Sequence, residues 1–392
     1  MDILIFLAIT FVISYIVGYL FNKIKLPKLL GYLLVGLLVG NLFDFNDLIT
    51  DDLISIITSF ALAVILIKAG LGIERAIIKK IGFRVLLLGT IPNIIEGIII
   101  AILSILVFDF GVLEAFMLGF IISAVSPAVV IPSMTRLMDK GYNKEITTLG
   151  LAATSFDDVV SLTIFSVFLS IYLGTGDPTT LIILAPIKIM FGGILGAMLG
   201  YGLGKLYKAT LCLRYQIIQF LIVITIAVIL KQYGEMIFII EMISIMTLGY
   251  FINDTNKDVG VYLKRHTNKI WNIAQVFLFF MIGFLADISE IGEYLWIGIL
   301  LIIVGLTGRA VGVLISLYKS GYDKKLQSFT MISNLPKATV QAVLGAVPLS
   351  KGVTNGNIIL SLSVLAIIFT APIGLLLIEY FGPRLLKKDT IE

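Results

Sequence analysis

Asp157 and Asp158 stand side by side inside the apolar run Ala153-Thr154-Ser155-Phe156-Asp157-Asp158-Val159-Val160-Ser161. A single charge at the centre of a bilayer costs from about 2.5 to above 10 kcal/mol, so acids in such a place mark ion or proton paths. Carboxylate oxygens suit a hard monovalent cation, and the same groups take up protons. If cation and proton compete for one mobile site, the site exchanges one for the other. Adjacent positions on a helix point about 100° apart, so the two aspartates have different roles: one faces the ion, and the other is free to pair with a cationic side chain.

The composition says where these acids sit. The chain has 392 residues, of which 59% are hydrophobic and 14% charged, against roughly a quarter charged in soluble domains. It reads as an all-α polytopic membrane protein. One cysteine, Cys212, and one histidine, His266, exclude disulfide frameworks, Cys/His metal sites and Ser-His-Asp or Cys-His catalysis. No cofactor is expected. The net charge of +4 needs no nucleic-acid partner, because the basic residues gather in short loops on alternate sides of the membrane. The first apolar stretch, Ile3 to Phe21, has neither a basic start nor a small-residue cleavage site, and it is expected to be a retained helix rather than a signal peptide.

Apolar stretches of spanning length number about thirteen. They lie near 3–21, 28–43, 53–72, 84–108, 112–136, 146–173, 179–204, 215–231, 236–252, 270–287, 294–317, 327–349 and 357–381. Most lysines and arginines fall in the first, third and every second connection thereafter, for example Lys23, Lys25 and Lys28, or Lys257, Lys264, Arg265 and Lys269. The opposite connections carry acids, as around Asp44 to Asp52 and Asp287 to Glu293. The positive-inside rule then puts the N-terminus outside and the C-terminus in the cytoplasm. Lys68, Lys188, Arg309 and Lys337 fall within spans. Lys68 is close enough to a helix end to snorkel. Arg309 and Lys337 are deep and need anionic partners, which Glu96, Asp157, Asp158 and Glu241 can supply.

Two spans carry helix breakers near their middles: Ser126-Pro127, followed by Pro132, and Asn334-Leu335-Pro336-Lys337. Proline removes a backbone donor and clashes with the preceding turn. These two spans run in opposite directions, and each follows a span with one deep charge, Glu96 or Arg309. Interrupted segments at matching places in oppositely oriented halves point to an inverted repeat with a binding site at the midplane. Unwound backbone is tolerated there only inside protein or beside water, and with Ser126 and the aspartates its carbonyls form an oxygen-rich cation site. Three other readings compete. Both aspartates could serve only to neutralise Arg309 and Lys337; an aspartyl protease would need Tyr-Asp and Gly-x-Gly-Asp motifs on separate helices, which are absent; and a channel would need a filter sequence that is not evident.

The chain resembles the monovalent cation:proton antiporters of the second superfamily, and within them the NHA clade of sodium/proton antiporters. The resemblance spans nearly the whole chain. It is carried by Leu118-Gly119 through Ser126-Pro127-Ala128-Val129-Val130-Ile131-Pro132-Ser133-Met134, by Ser155-Phe156-Asp157-Asp158, by Leu335-Pro336-Lys337-Ala338-Thr339-Val340-Gln341-Ala342, and by Thr370-Ala371-Pro372-Ile373-Gly374 with Gly382-Pro383-Arg384-Leu385-Leu386.

The resemblance implies a single transmembrane antiporter domain over 1–392. Its ion-carrying core would comprise roughly 84–173 and 294–381, its scaffold and dimer helices roughly 3–72 and 215–287, and its linker helix roughly 179–204. It implies exchange of Na+ or Li+ for H+ at the plasma membrane by a homodimer whose core moves as an elevator; K+:H+ exchange or a cation channel on the same fold is the alternative. Asp158 matches the principal cation ligand, and Asp157 the neighbour that pairs with Lys337. Ser126 and Ser155 accompany them, Pro127 and Pro336 mark the crossing of the broken helices, and Glu96 with Arg309 matches a charge pair of the core. The long polar N-terminal extension and C-terminal tail of the animal members, and the nucleotide-binding domain of potassium-efflux relatives, have no counterpart in the sequence, so regulation through such segments is not expected.

Overall fold

The structure, a computed structural model, describes residues 3–43, 51–73, 75, 83–142, 144–174, 178–209, 216–237, 239 and 241–388. From the N-terminus the helices are α1 (Ile3–Lys23), α2 (Lys28–Leu42), α3 (Asp51–Gly72), α4 (Phe83–Phe108), α5 (Val112–Ser123) and α6 (Pro127–Asp139). They continue as α7 (Lys144–Tyr172), α8 (Pro178–Ala209), α9 (Gln216–Tyr233), α10 (Glu241–Thr255), α11 (Lys257–Leu285) and α12 (Ile288–Glu293). The last are α13 (Leu295–Ser316), α14 (Lys324–Ser333), α15 (Thr339–Leu344), α16 (Val347–Ser350) and α17 (Gly356–Leu385).

Among the described residues, seven helices or helix pairs have the length and apolar composition to cross a membrane. They are Ile3–Lys23, Phe83–Phe108, Val112–Met138, Gln216–Tyr233, Lys257–Leu285, Leu295–Ser316 and Gly356–Leu385. Lys28–Leu42, Ser59–Gly72 and Thr339–Ser350 are shorter apolar helices. The protein is a multi-pass membrane protein. Its outward residues on α1 are themselves apolar, with Leu4, Ile9, Val12 and Ile16 all exposed, as suits helices solvated by lipid, where internal hydrogen bonding satisfies the backbone.

The chain forms two compact units. The first comprises Met1–Ile49, Ile81–Leu173 and Phe279–Glu392, and the second Thr50–Lys80 and Gly174–Leu278. The expected core ranges, 84–173 and 294–381, lie within the first. There α4 packs against α5, α7 and α13, and α17 against α14, α15 and α6. Helices α4 and α5 meet backbone to backbone: a Cβ on Gly119 would stand 2.3 Å from the Gly97 carbonyl oxygen, so only glycine permits the approach, as small residues do between membrane helices. In the second unit α10 packs against α8 and α3, and the Ser244 hydroxyl donates to the Gly192 carbonyl at 2.8 Å.

Both expected interruptions are present. Helix α5 ends at Ser123, residues 124–126 are non-helical, and α6 begins at Pro127. Proline suits that first helical position because its missing N–H would have no partner there. Helix α14 ends at Ser333, residues 334–338 are non-helical, and α15 begins at Thr339. Pro336 disfavours helical geometry at Leu335 and so keeps the chain from closing into one span.

Candidate cation and proton site

The interruptions expose backbone groups that a continuous helix would have paired, and each break supplies partners for the other. The Ser126 amide donates to the Pro336 carbonyl at 2.8 Å, which places the breaks against one another. The Ser126 and Thr339 hydroxyl oxygens are 3.5 Å apart across the same junction. Gln341, in the first turn of α15, donates from Nε2 to the carbonyls of Ile121 and Ala124 at 2.8 Å each and of Ile122 at 3.2 Å. The negative end of α5 is therefore closed by a side chain that follows the second break.

Five ionisable side chains are buried around this junction: Glu96 of α4, Asp157 and Asp158 of α7, Arg309 of α13 and Lys337 beside the second break. Arg309 Nη1 donates to Glu96 Oε2 at 2.7 Å, and Nη2 donates to Asp157 Oδ1. Lys337 Nζ donates to the same Glu96 oxygen at 2.7 Å. Both cations also donate to the Ser123 carbonyl, the last residue of α5, where the helix dipole adds negative potential. Asp157 Oδ2 accepts from the Val125 amide in the first break at 2.7 Å. Asp158 differs in having no ion pair among the described residues; its Oδ1, like Glu96 Oε1, is buried without a hydrogen-bond partner there.

Most of the residues expected at the site are thus brought together: Glu96, Asp157, Arg309, Lys337, Ser126, Pro127 and Pro336 share one junction. The Glu96–Arg309 pair is present. The Asp157–Lys337 pair is not the arrangement found; Asp157 is bound by Arg309 and Lys337 by Glu96. A guanidinium has a rigid fork of donors that can bridge two carboxylates, whereas an ammonium is a compact point charge. Arg309 therefore spans Glu96 and Asp157, and Lys337 takes the remaining approach to Glu96. The side chain of Ser155 lies outside the described residues. Glu241 belongs elsewhere, in the second unit, where Lys231 holds it at 2.9 Å. Lys68, also in that unit, has its ammonium 5.7 Å from the Trp271 ring centroid.

Several site residues were not among those expected. Asn93, fully buried on α4, donates to the Ser161 hydroxyl at 2.6 Å and to the Asp157 carbonyl at 3.2 Å, and accepts from the Ser123 hydroxyl at 3.1 Å. One amide thereby ties α4, α5 and α7 together behind the acids. Its position three residues before Glu96, on the same helix face, was a readable signal. Thr370 of α17 accepts the Lys337 amide at 2.9 Å, which leaves the end of the second break satisfied. Gln341 was marked only as a member of the motif from Leu335 to Ala342 and by its polar type in an apolar half-helix.

Fold and site together define a polytopic helical membrane protein in which two broken helices cross beside buried, partly neutralised carboxylates. The family model for the transmembrane part of sodium/hydrogen exchangers matches residues 8–379, and the chain belongs to that family. Among curated relatives, sodium/hydrogen exchanger 9B2 of Mus musculus is 30% identical over 413 residues, covering 98% of this chain and 74% of the relative. The Homo sapiens 9B2 protein is 31% identical, covering 97% and 75%, and Homo sapiens 9B1 is 29% identical, covering 93% and 73%. Among solved structures, the sodium proton antiporter MjNhaP1 from Methanocaldococcus jannaschii superposes with a TM-score of 0.83 at 19% identity over 98% of this chain and 97% of that one, which establishes the shared fold.

Proposed function

We propose that the protein is a secondary active antiporter exchanging Na+ for H+, with Asp158 as the group that carries both. The observation behind this reading is that Asp158 is the one of the three buried acids at the junction with no ion pair among the described residues, and its Oδ1 has no hydrogen-bond partner there, while its neighbours Glu96 and Asp157 are bound by Arg309 and Lys337. Two buried cations balance two acids, and Asp158 is left over. A buried carboxylate without a counter-charge is costly, so it is stable either protonated or holding a cation, and the two states exclude each other. In this reading Ser126, Ser155 and carbonyls of the breaks complete the cation's oxygen shell, and Asp157 acts as an anchored negative neighbour. The sodium/hydrogen exchangers among its relatives support the choice of ions.

Further parts of the reading are a homodimer in the plasma membrane, with the N-terminus outside and the C-terminus in the cytoplasm. The unit bearing the site would move as an elevator to expose Asp158 to each side in turn. Proteoliposomes with an imposed pH gradient and an internal pH dye test the exchange. Addition of Na+ or Li+ should drive proton movement in wild type and not in Asp158→Asn. A wild-type response to K+ alone would redirect the reading to K+:H+ exchange, and a conductance without proton coupling would replace it with a channel.

A further inference from the structure

Gln341 has no ionisable group and, among the described residues, no hydrogen bond to either aspartate, yet it is fully buried at the crossing and its amide nitrogen faces three carbonyls of α5 and the first break. Its Oε1 is buried with no hydrogen-bond partner among the described residues, so the hydrogen bonds that hold the side chain there are the ones it donates. An amide has two N–H groups to donate. A methionine or glutamate of similar length would fill the volume without reproducing them. The carbonyls it secures flank Ser123, whose own carbonyl receives both Arg309 and Lys337, and precede Val125, whose amide holds Asp157. The position of those two groups decides where the counter-charges stand, and so how much negative potential is left for Asp158.

We propose that Gln341 is a positioning residue for exchange: it fixes the break in α5 from the opposite repeat and thereby sets the cation affinity of the Asp158 site without touching the ion. The inference rests on the antiport reading above. Without the two N–H donors, the end of α5 must find other partners, which shifts the Ser123 carbonyl and Val125 amide together. The effect then falls on the apparent KM for Na+ and on the pH dependence, since both report the potential at one carboxyl, rather than on maximal rate alone.

The test uses the full chain in proteoliposomes with Gln341→Met and Gln341→Glu, each checked for monodispersity and thermal midpoint. Gln341→Met should raise the apparent KM for Na+ about tenfold, a change corresponding to about one or two neutral hydrogen bonds, at a maximal rate close to wild type. Gln341→Glu can donate while protonated and opposes three carbonyls once ionised. It should therefore approach wild type at the acidic end of the range and lose cation affinity as pH rises. A folded Gln341→Met with the wild-type KM and pH profile overturns the proposal. If Gln341→Met does not fold, a Gln341→Glu profile parallel to wild type overturns it, and the acid-restored profile supports it. Wild type without any Na+-driven proton flux removes the antiport reading and this inference with it, whereas active wild type beside unaltered variants removes the inference alone.

Discussion

The amide of Ser126 donates to the carbonyl of Pro336 at 2.8 Å, so the two interruptions of the fold are hydrogen-bonded to one another. Each break is stable because the other exists. An unpaired backbone group in a membrane costs several kcal/mol, and here the Pro336 carbonyl, the Ser126 amide and the end of α5 are all satisfied across the junction. The site is consequently sensitive to changes at either break, including those remote from the aspartates in sequence.

The two aspartates should separate in stability as well as in transport. Asp157→Asn strips Arg309 of one carboxylate inside the protein, and removing one partner of a buried pair costs about 3–5 kcal/mol. Asp158→Asn removes a carboxyl that no described residue binds, so its thermal midpoint in detergent should equal or exceed that of wild type while exchange is lost. An Asp158→Asn protein less stable than Asp157→Asn would contradict the assignment of Arg309 to Asp157.

Glu96 Oε2 receives both Arg309 and Lys337 at 2.7 Å, which makes it a hub rather than half of a pair. Glu96→Gln should destabilise by more than about 3 kcal/mol, because two buried cations lose their shared anion. Adding Arg309→Gln should restore part of that loss, giving a coupling energy of about 1–3 kcal/mol in a double-mutant cycle. Strict additivity of the two losses would mean that the contact carries no energy.

How much of this was readable beforehand follows from where the signals lie in the chain. The breaks at Ser126-Pro127 and Asn334 to Lys337 were legible because proline acts locally, through its own ring and missing donor. The deep charges were legible because lipid makes any such residue costly. The Glu96–Arg309 pair was implied by the resemblance and is present; the partners of Asp157 and Lys337 were not legible, since the four residues come from four elements and their pairing depends on helix rotation and side-chain reach. The rigid fork of Arg309 decided it. The roles of Asn93 and of Gln341, the latter visible only as part of the motif from Leu335 to Ala342, were not legible because a neutral amide in an apolar segment costs less than a charge, and its importance appears only when the groups it faces are known.

Exchange should move no net charge. This follows from the proposed site: with Arg309 and Lys337 held by Glu96 and Asp157, Asp158 would be the acid there that changes occupant, trading one Na+ for one H+. Current measured on proteoliposomes adsorbed to a sensor surface should be absent under a Na+ gradient even as internal pH changes. A steady Na+-driven current of transport size would require Asp157 to titrate as well.

At the connection between α13 and α14, the Tyr322 hydroxyl donates to Glu145 Oε1 at 2.8 Å, and the Arg84 guanidinium carbon lies 5.6 Å from its ring centroid. Burial pushes the phenol from 10.0 up to about 12, helped by Glu145 and opposed by Arg84. A raised pKa means that the folded state favours the protonated phenol, so this contribution to stability is complete below pH 10 and disappears as pH rises through about 12. An ultraviolet difference titration of wild type against Tyr322→Phe should show one tyrosine ionising near the upper value. A midpoint at 10 would mean that neither the burial of the phenol nor its contact with Glu145 is maintained.

Gly374 offers a way to disturb the crossing without altering any polar group. A Cβ at this position would lie 2.5 Å from Pro336 Cγ, 2.9 Å from its Cδ and 3.0 Å from its backbone nitrogen. The proline ring is rigid and its nitrogen is main chain, so the added methyl must displace the break itself. Overpacking of this kind costs about 1–3 kcal/mol. Because Pro336 supplies the carbonyl that Ser126 uses and Lys337 follows it directly, the displacement reaches both the crossing and the hub at Glu96. Gly374→Ala should therefore lower Na+-driven proton flux by about tenfold or more in protein that still inserts and elutes as wild type. Ile373→Ala, on the half-exposed neighbouring position, serves as the control and should leave flux within about twofold of wild type, as expected for a surface substitution away from the site. Equal losses in the two variants would assign the effect to general loosening of α17, and full activity in Gly374→Ala would show that exchange tolerates movement of the second break.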